Sequence, residues 1–405
     1  MKSIFARLGP GLLYAGAAVG VSHLVQSTRA GAAYGFWMIL VVILANVLKY
    51  PFFKAGPLYA AKSGQSLLSA FSKQGKGAMT LFYIVSLGSM FTVQAVVTLI
   101  CASVLASIFQ LSFPLWQISS AILFLCGFIL LLGHFKWLNQ VMKWVILLLT
   151  ITSIVTLVAA FSIVSPSEVQ GNTFSFLNQV DIFFLIALVG WMPAPLDISI
   201  WHSEWTLADK KEQKQQLRAI NFDFQIGYWG TTFLAAAFVC LGALLLRGYG
   251  EDLPASGAAF ASEIINMYTA TIGNWSFAFI ALAAFTTMFS TTLTVLDAYP
   301  RVLSKAIKLS FPKFQFLANY HLWLLLTIIG ALFVLIFQLK NMKQLVDLAT
   351  SISFLTAPIL ASMIYYAVNK LDVEILGKGE KTIARVGILF LYCFSLYYLY
   401  IKLIN

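Results

Sequence analysis

Two clusters of polar residues interrupt an otherwise apolar chain, and they hold nearly all the chemistry the sequence offers. The first is Gly20, Ser22, His23 and Gln26; the second is Trp191-Met192-Pro193, followed by Asp197 and His202. An imidazole, a carboxylate and a thioether together form a ligand set for a borderline or soft metal ion, which makes His23, Asp197 and Met192 candidate metal ligands. The same imidazole relays protons, and beside a serine hydroxyl and a glutamine amide it can hydrogen-bond a polar solute. Gly20, Ser22, His23, Gln26, Trp191, Met192, Pro193 and Asp197 are therefore the expected substrate-binding set. No nucleophile–base arrangement, Gly-rich phosphate loop, nucleophile elbow or zinc-protease spacing occurs, so neither enzymatic activity nor a resident cofactor is expected.

The elements that must position these residues are helices in a membrane. The chain has 405 residues, 60% hydrophobic and 10% charged, where soluble domains carry about a quarter charged residues. That balance excludes a secreted disulfide scaffold, a nucleic-acid binder and a cytosolic enzyme. Eleven apolar stretches are long enough to span a bilayer: 10–30, 35–58, 79–109, 114–132, 139–163, 182–203, 221–246, 275–299, 320–338, 343–367 and 384–403. The stretch 256–272 is too polar to span and reads as a surface helix. The start, MKSIFARLGPGLLYAG, runs on into further spans and reads as a first helix rather than a cleaved signal. Cys101, Cys126, Cys240 and Cys393 lack metal spacing and read as buried, reduced thiols.

Charge sets the expected sidedness. Most basic residues, among them Lys54, Lys62, Lys73, Lys76, Lys210, Lys211, Lys214, Arg301, Lys305 and Lys308, fall in connections on one face. Arg29, Arg247, Lys340, Lys343 and Lys402 fall on the other. The positive-inside rule then puts the N-terminus in the cytoplasm and the C-terminus outside, in a bacterial-type inner membrane. Lys49 and Lys143 lie within spans and are expected to snorkel to the cytoplasmic interface. The aromatic residues are expected to be mostly lipid-facing or interfacial.

The first and sixth stretches are not smooth. Pro193 and Pro195 lack amide donors, so the backbone near 191–196 should unwind. Gly20 and the polar residues after it mark a matching fault in the first. Irregular backbone in a bilayer is tolerated only around a cavity or inside protein. Paired interruptions in corresponding halves point to an inverted-repeat transporter with its site at midplane. Asp197, just past the second break, reads as a binding residue that also suits a helix N-terminus. His202 reads as structural or gating, Ser199, Gln94 and Asn46 as possible cavity residues, and Asp297 as the partner of a nearby base.

The chain also resembles the NRAMP-type divalent-metal transporters. The resemblance rests on the run from Gly9 to Asn46 (GPG through AGAAYGF to VVILAN), on WHSEW at 201–205, and on NMKQLVDLATSISFLTAPIL at 341–360. It implies an all-α, leucine-transporter-like fold of eleven helices with the first and sixth broken. Two inverted five-helix repeats, about 9–163 and 182–367, would be followed by an extra helix at 384–403. It implies secondary transport of Mn²⁺ or Fe²⁺ by alternating access. In this fold class hydroxyls of the eighth helix can hold a sodium ion beside the first break, which nominates Ser290 and Thr291 as coupling-ion residues.

The motifs depart from the family where the metal would bind. The family's Asp-Pro-Gly-Asn falls here on Gly20, Val21, Ser22 and His23. Met192-Pro193 repeats two letters of the sixth-helix motif, yet counting back from His202-Ser203 places Pro195, Leu196 and Asp197 there. The third stretch has no acid, the ninth no Arg, and no Asp or Glu precedes Glu168. Hard divalent ions want several oxygen ligands with charge among them. The residues therefore imply a rebuilt, non-standard site without the family's proton route. Two other readings stand beside it: transport of a small polar or anionic non-metal solute, and a membrane sensor or scaffold that moves nothing. The expected partners are a small ion or solute and the lipid bilayer, with no nucleic acid.

Overall fold

The computed structural model describes residues 10–133, 135–165, 169, 172–208, 217–246, 257–337, 342–370 and 375–404. Lys210, Lys211, Lys214, Arg247, Lys340 and the Lys143 side chain lie outside the described residues. The helices are α1 (Pro10–Ala18), α2 (Thr28–Tyr34), α3 (Met38–Ser63), α4 (Leu67–Gln74), α5 (Lys76–Phe109), α6 (Leu115–Leu131), α7 (Phe135–Ile163) and α8 (Gln179–Trp191). They continue with α9 (Asp197–Ala208), α10 (Leu217–Leu245), α11 (Gly257–Ile272), α12 (Phe277–Ser310), α13 (Tyr320–Phe337), α14 (Met342–Lys370) and α15 (Lys378–Ile404). No strand occurs among the described residues.

Every stretch expected to span is helical. Eight helices among the described residues are long and apolar enough to cross a membrane unaided; Leu115–Leu131 and Gln179–Trp191 are shorter apolar helices. The two stretches expected to be interrupted are interrupted. Pro10, whose missing N–H costs nothing at a helix start, opens α1. That helix stops at Ala18, and after Val19 and Gly20 the chain resumes as a π-helix, Val21–Ser27, that runs into α2. The other stretch halts at Trp191 and restarts at Asp197, with Met192–Leu196 unwound between.

α5 and α12 run against each other through the centre, α10 flanks α1 and α2, α3 packs on α9, and α8 packs on α14. Small residues permit these crossings, as they do where helices meet in lipid. A Cβ on Gly31 would lie 1.8 Å from Val239 O, and one on Gly242 would lie 2.1 Å from Thr28 O, so α2 and α10 touch backbone to backbone. Asp223 of α10 accepts the Gly11 amide at 2.7 Å, satisfying a free donor in the first turn of α1.

Three expectations change here. The helix near 256–272 is not merely superficial: Ile264, Ile265, Met267 and Tyr268 are buried, and α11 packs on α5 and α7. Of the four thiols, which are all free, only Cys101 and Cys126 are buried; Cys393 is exposed on α15. Many aromatics are internal rather than lipid-facing, including Tyr14, Phe53, Phe224, Tyr228 and Tyr299.

Candidate functional site

The two breaks share a cavity of about 30 Å³, room for a water molecule or a bare ion. Ala17, Ala18, Val21 and Ser22 line it from the first break, and Trp191, Ala194, Pro195, Ile198 and Trp201 from the second. Val93 and Val97 of α5, with Thr291 and Val295 of α12, close it laterally. Its side-chain polar groups are the hydroxyls of Ser22 and Thr291 and the indoles of Trp191 and Trp201. The walls are otherwise aliphatic and aromatic, and no charged side chain lines it.

Of the expected binding set, Ser22 and Trp191 reach this wall. Trp191 is fixed by its Nε1, which donates to Ser353 Oγ of α14 at 2.8 Å. Ser22 Oγ donates to Ala18 O at 2.6 Å and lies 2.7 Å from His23 Nδ1. His23 itself turns to α10, where Nε2 meets Thr231 O at 3.0 Å. A carbonyl only accepts, so Nε2 carries a hydrogen, and Nδ1 shares the single Ser22 hydroxyl hydrogen with Ala18 O. Instead of facing the cavity as a ligand, the imidazole ties the first break to α10.

Asp197, Met192 and Pro193 are also absent from the cavity wall. Asp197 opens α9, buried, while the backbone amides after it go to backbone carbonyls: Ile198 N to Pro195 O and Ser199 N to Leu196 O. Gln26 does not line the cavity either, since its Oε1 accepts from Arg29 at 2.8 Å. Among the described residues, no group of three or more His, Cys, Asp and Glu is placed to hold a metal ion. None of His23, Asp197 and Met192 lines this cavity.

Thr291 meets the first break directly. Its Oγ1 shares one hydrogen between Gly16 O at 3.2 Å and Thr287 O at 3.0 Å, and it stands 2.8 Å from where a Cβ on Gly20 would be. Gly20 is glycine because Thr291 occupies that space. Ser290 is buried beside it but does not line the cavity. Ser199 donates to Phe52 O at 2.6 Å, Asn46 accepts from Thr232 at 2.8 Å, and Gln94 donates to Thr292 O at 3.3 Å; all three join helices rather than face the cavity. Asp297 is paired as expected, taking two hydrogen bonds from Arg301 at 2.9 and 2.7 Å.

Lys49 overturns its expectation most clearly. It does not snorkel: only 1% exposed, it turns inward to donate to Val189 O at 2.6 Å and Gly190 O at 3.1 Å, two carbonyls of the last turn of α8. The signal available in the sequence was its position mid-span together with two prolines that strip donors from the sixth stretch.

Side-chain contacts tie down the broken first rod on both sides of the cavity. On the α1 side, Tyr14 stacks on His202 and on Tyr228, each with ring centroids 5.8 Å apart. On the α2 side, Arg29 pairs with Asp347 of α14 at 3.1 Å and lies 5.3 Å over the Phe184 ring. An aromatic stack thus stands at one end of the broken rod and an ion pair at the other.

Comparison with known proteins points the same way. A family described as natural resistance-associated macrophage protein-like matches residues 11–401. An uncharacterized protein of Pasteurella multocida strain Pm70 is 33% identical over 403 residues, spanning 98% of this chain and 92% of its own length. Among solved structures, an Eremococcus coleocola manganese transporter superposes with a TM-score of 0.69 at 12% identity, over 98% of this chain and 86% of that one. MhsT in complex with L-phenylalanine follows at 0.62 and 15% identity, over 95% and 98%. A nucleobase-cation-symport-1 family transporter with bromovinylhydantoin bound gives 0.59 at 12% identity, over 97% and 92%. At such identities the likeness is one of fold, and that fold is the leucine-transporter-like one.

Proposed function

Because this chain belongs to the natural resistance-associated macrophage protein-like family, we propose that it is an alternating-access secondary transporter whose cargo passes between the two breaks. Two inverted repeats, about 9–163 and 182–367, rock against each other, with the N-terminus cytoplasmic. Opening toward one side parts Tyr14 from His202; opening toward the other parts Arg29 from Asp347. The observation that carries this reading is the cavity to which both breaks contribute.

The cargo is a small, neutral, polar solute. Removing water from a divalent ion costs far more than two hydroxyls and two indoles return, and the cavity walls supply no charge. The water-sized space must widen to admit such a solute, which would then meet the hydroxyl oxygens of Ser22 and Thr291 as hydrogen-bond acceptors, with Val93 and Val97 to cover its apolar face. The second reading is a divalent metal held by a rebuilt site. Family membership favours it, as does the burial of Met192 and Asp197 at the second break.

Proteoliposomes loaded for Mn²⁺ flux, with calorimetry of Mn²⁺ on the purified protein, separate the two. The expected result is no saturable Mn²⁺ uptake or binding, together with thermal stabilisation by a small neutral solute that Ser22→Ala weakens. Saturable Mn²⁺ binding abolished by Asp197→Ala would establish the metal reading instead. Silence toward metals and solutes alike would mean a protein that kept the fold without transport.

A further inference from the structure

In an α-helix each carbonyl accepts from the amide four residues on. For Val189 and Trp191 that partner is Pro193 and Pro195, and neither has an N–H. For Gly190 it is Ala194, in the unwound segment. Met192 N reaches back to Val189 O at a long 3.3 Å. The end of α8 is therefore the negative pole of a half-helix, its carbonyls stripped of donors and buried in protein. Such poles are where transporters of this architecture seat small cations.

Here the cation is covalent. Lys49 Nζ sits 2.6 Å from Val189 O and 3.1 Å from Gly190 O, distances that a bound cation's own hydrogen bonds would have. Its side chain is buried, and among the described residues no carboxylate is ion-paired with it. The acids on helices packed against α3 are otherwise placed: Glu380 takes Lys54, Asp347 takes Arg29, Asp223 takes the Gly11 amide, Asp181 of α8 takes the Tyr34 hydroxyl and the Ser175 amide, and Asp197 and Glu204 of α9 form no ion pair with it. The backbone dipole is what holds the ammonium.

We propose that Lys49 is a tethered cation, filling from within the chain the position that a free ion would occupy at the carbonyls of the second break. The break then needs no metal or alkali ion at this pole. Any movement of α3 away from α8 must release these two hydrogen bonds, so the amine belongs to the moving contact. Only that last consequence rests on the transporter reading; the tethered cation stands without it.

The test is chemical rescue, read as the melting midpoint of the full-length protein in detergent, which needs no cargo and so fails or succeeds independently of the transport assay. Lys49→Ala, Lys49→Met and Lys49→Gln are compared with the wild type across rising methylammonium chloride, with tetramethylammonium chloride as the ion too large to enter. The expected result is a lowered midpoint in all three variants, restored by methylammonium in Lys49→Ala alone. Lys49→Met or Lys49→Gln melting like the wild type would overturn the proposal, since filling or neutral donation would then suffice. Failure of methylammonium to restore a folded Lys49→Ala, or equal restoration of Lys49→Met, would overturn it too. Should Lys49→Ala not fold, the midpoints of the other two decide.

Discussion

The two breaks do the same job by different chemistry. The first turns on Gly20 and keeps its amides: Leu24 N and His23 N both return to Gly20 O, at 2.9 and 3.2 Å, and the chain slides into a π-helix within two residues. The second turns on Pro193 and Pro195, loses donors outright, and stays unwound over five residues. A glycine break is repaired locally and asks its neighbours only for space. A proline break leaves carbonyls that must be answered from elsewhere, and Lys49 answers them. The cost of disturbing each break should follow from that difference.

The largest effect is expected beside the second break. A Cβ on Gly190 would lie 2.4 Å from Thr350 O, a backbone atom of α14 that cannot rotate away. Gly190→Ala forces α8 off α14 and also carries off a carbonyl that Lys49 binds. A loss near the upper end of the overpacking range, about 3 kcal/mol, is expected in denaturation measurements on the detergent-solubilised protein. A variant as stable as the wild type would show that the two helices are not seated as described.

A double-mutant cycle sharpens the comparison. Pro193→Ala returns an amide at the position that should bond to Val189 O. In that background Lys49→Met should cost less than in the wild type, by about 1 kcal/mol, one hydrogen bond's worth. Additive costs would mean that the prolines and the lysine act independently, and the link between them would fall.

Much of this was legible in the sequence. Both breaks were, because Gly and Pro act on the backbone whatever surrounds them, and Pro193 and Pro195 alone fix where α8 must stop. The cavity's polar lining was only half legible. Ser22 and Trp191 face it, but His23, Gln26 and Asp197 do not, since the direction of a side chain on a helix depends on which neighbour it meets. His23 found Thr231 O on α10, and Gln26 found Arg29. The partner of His23 lies on another helix with no trace in local spacing, whereas that of Gln26 is three residues on, a pair that helical spacing does bring together. Lys49 was misread for the same reason: a lysine in a span has water as its default target, and only the fold shows a nearer row of carbonyls.

At the first break the contacts are weaker and the expected costs fall accordingly. Thr291→Val keeps shape while removing the hydroxyl that donates to Gly16 O and Thr287 O. The loss should be about 1 kcal/mol, because Gly16 O ends up short of a donor at the close of α1. If Thr291 also helps to seat a coupling cation, sodium should raise the wild-type melting midpoint and leave Thr291→Val unmoved. A sodium response of equal size in both would remove Thr291 from that role.

The smallest effect belongs to Gly20→Ala, and it separates the two breaks most cleanly. The added Cβ would come within 2.8 Å of Thr291 Oγ1, as close a conflict as many in the core, but with a side chain rather than backbone. Thr291 can turn about χ1, giving up its bond to Gly16 O and keeping its place in α12. The expected cost is then roughly that one hydrogen bond, about 1 kcal/mol or less, well below that of Gly190→Ala. In a Thr291→Ser background, which removes the methyl 3.2 Å from the same point, part of even this cost should be recovered. A loss as large as that at Gly190, unrelieved by Thr291→Ser, would mean that the first break is as rigidly specified as the second, and that space alone does not account for the glycine.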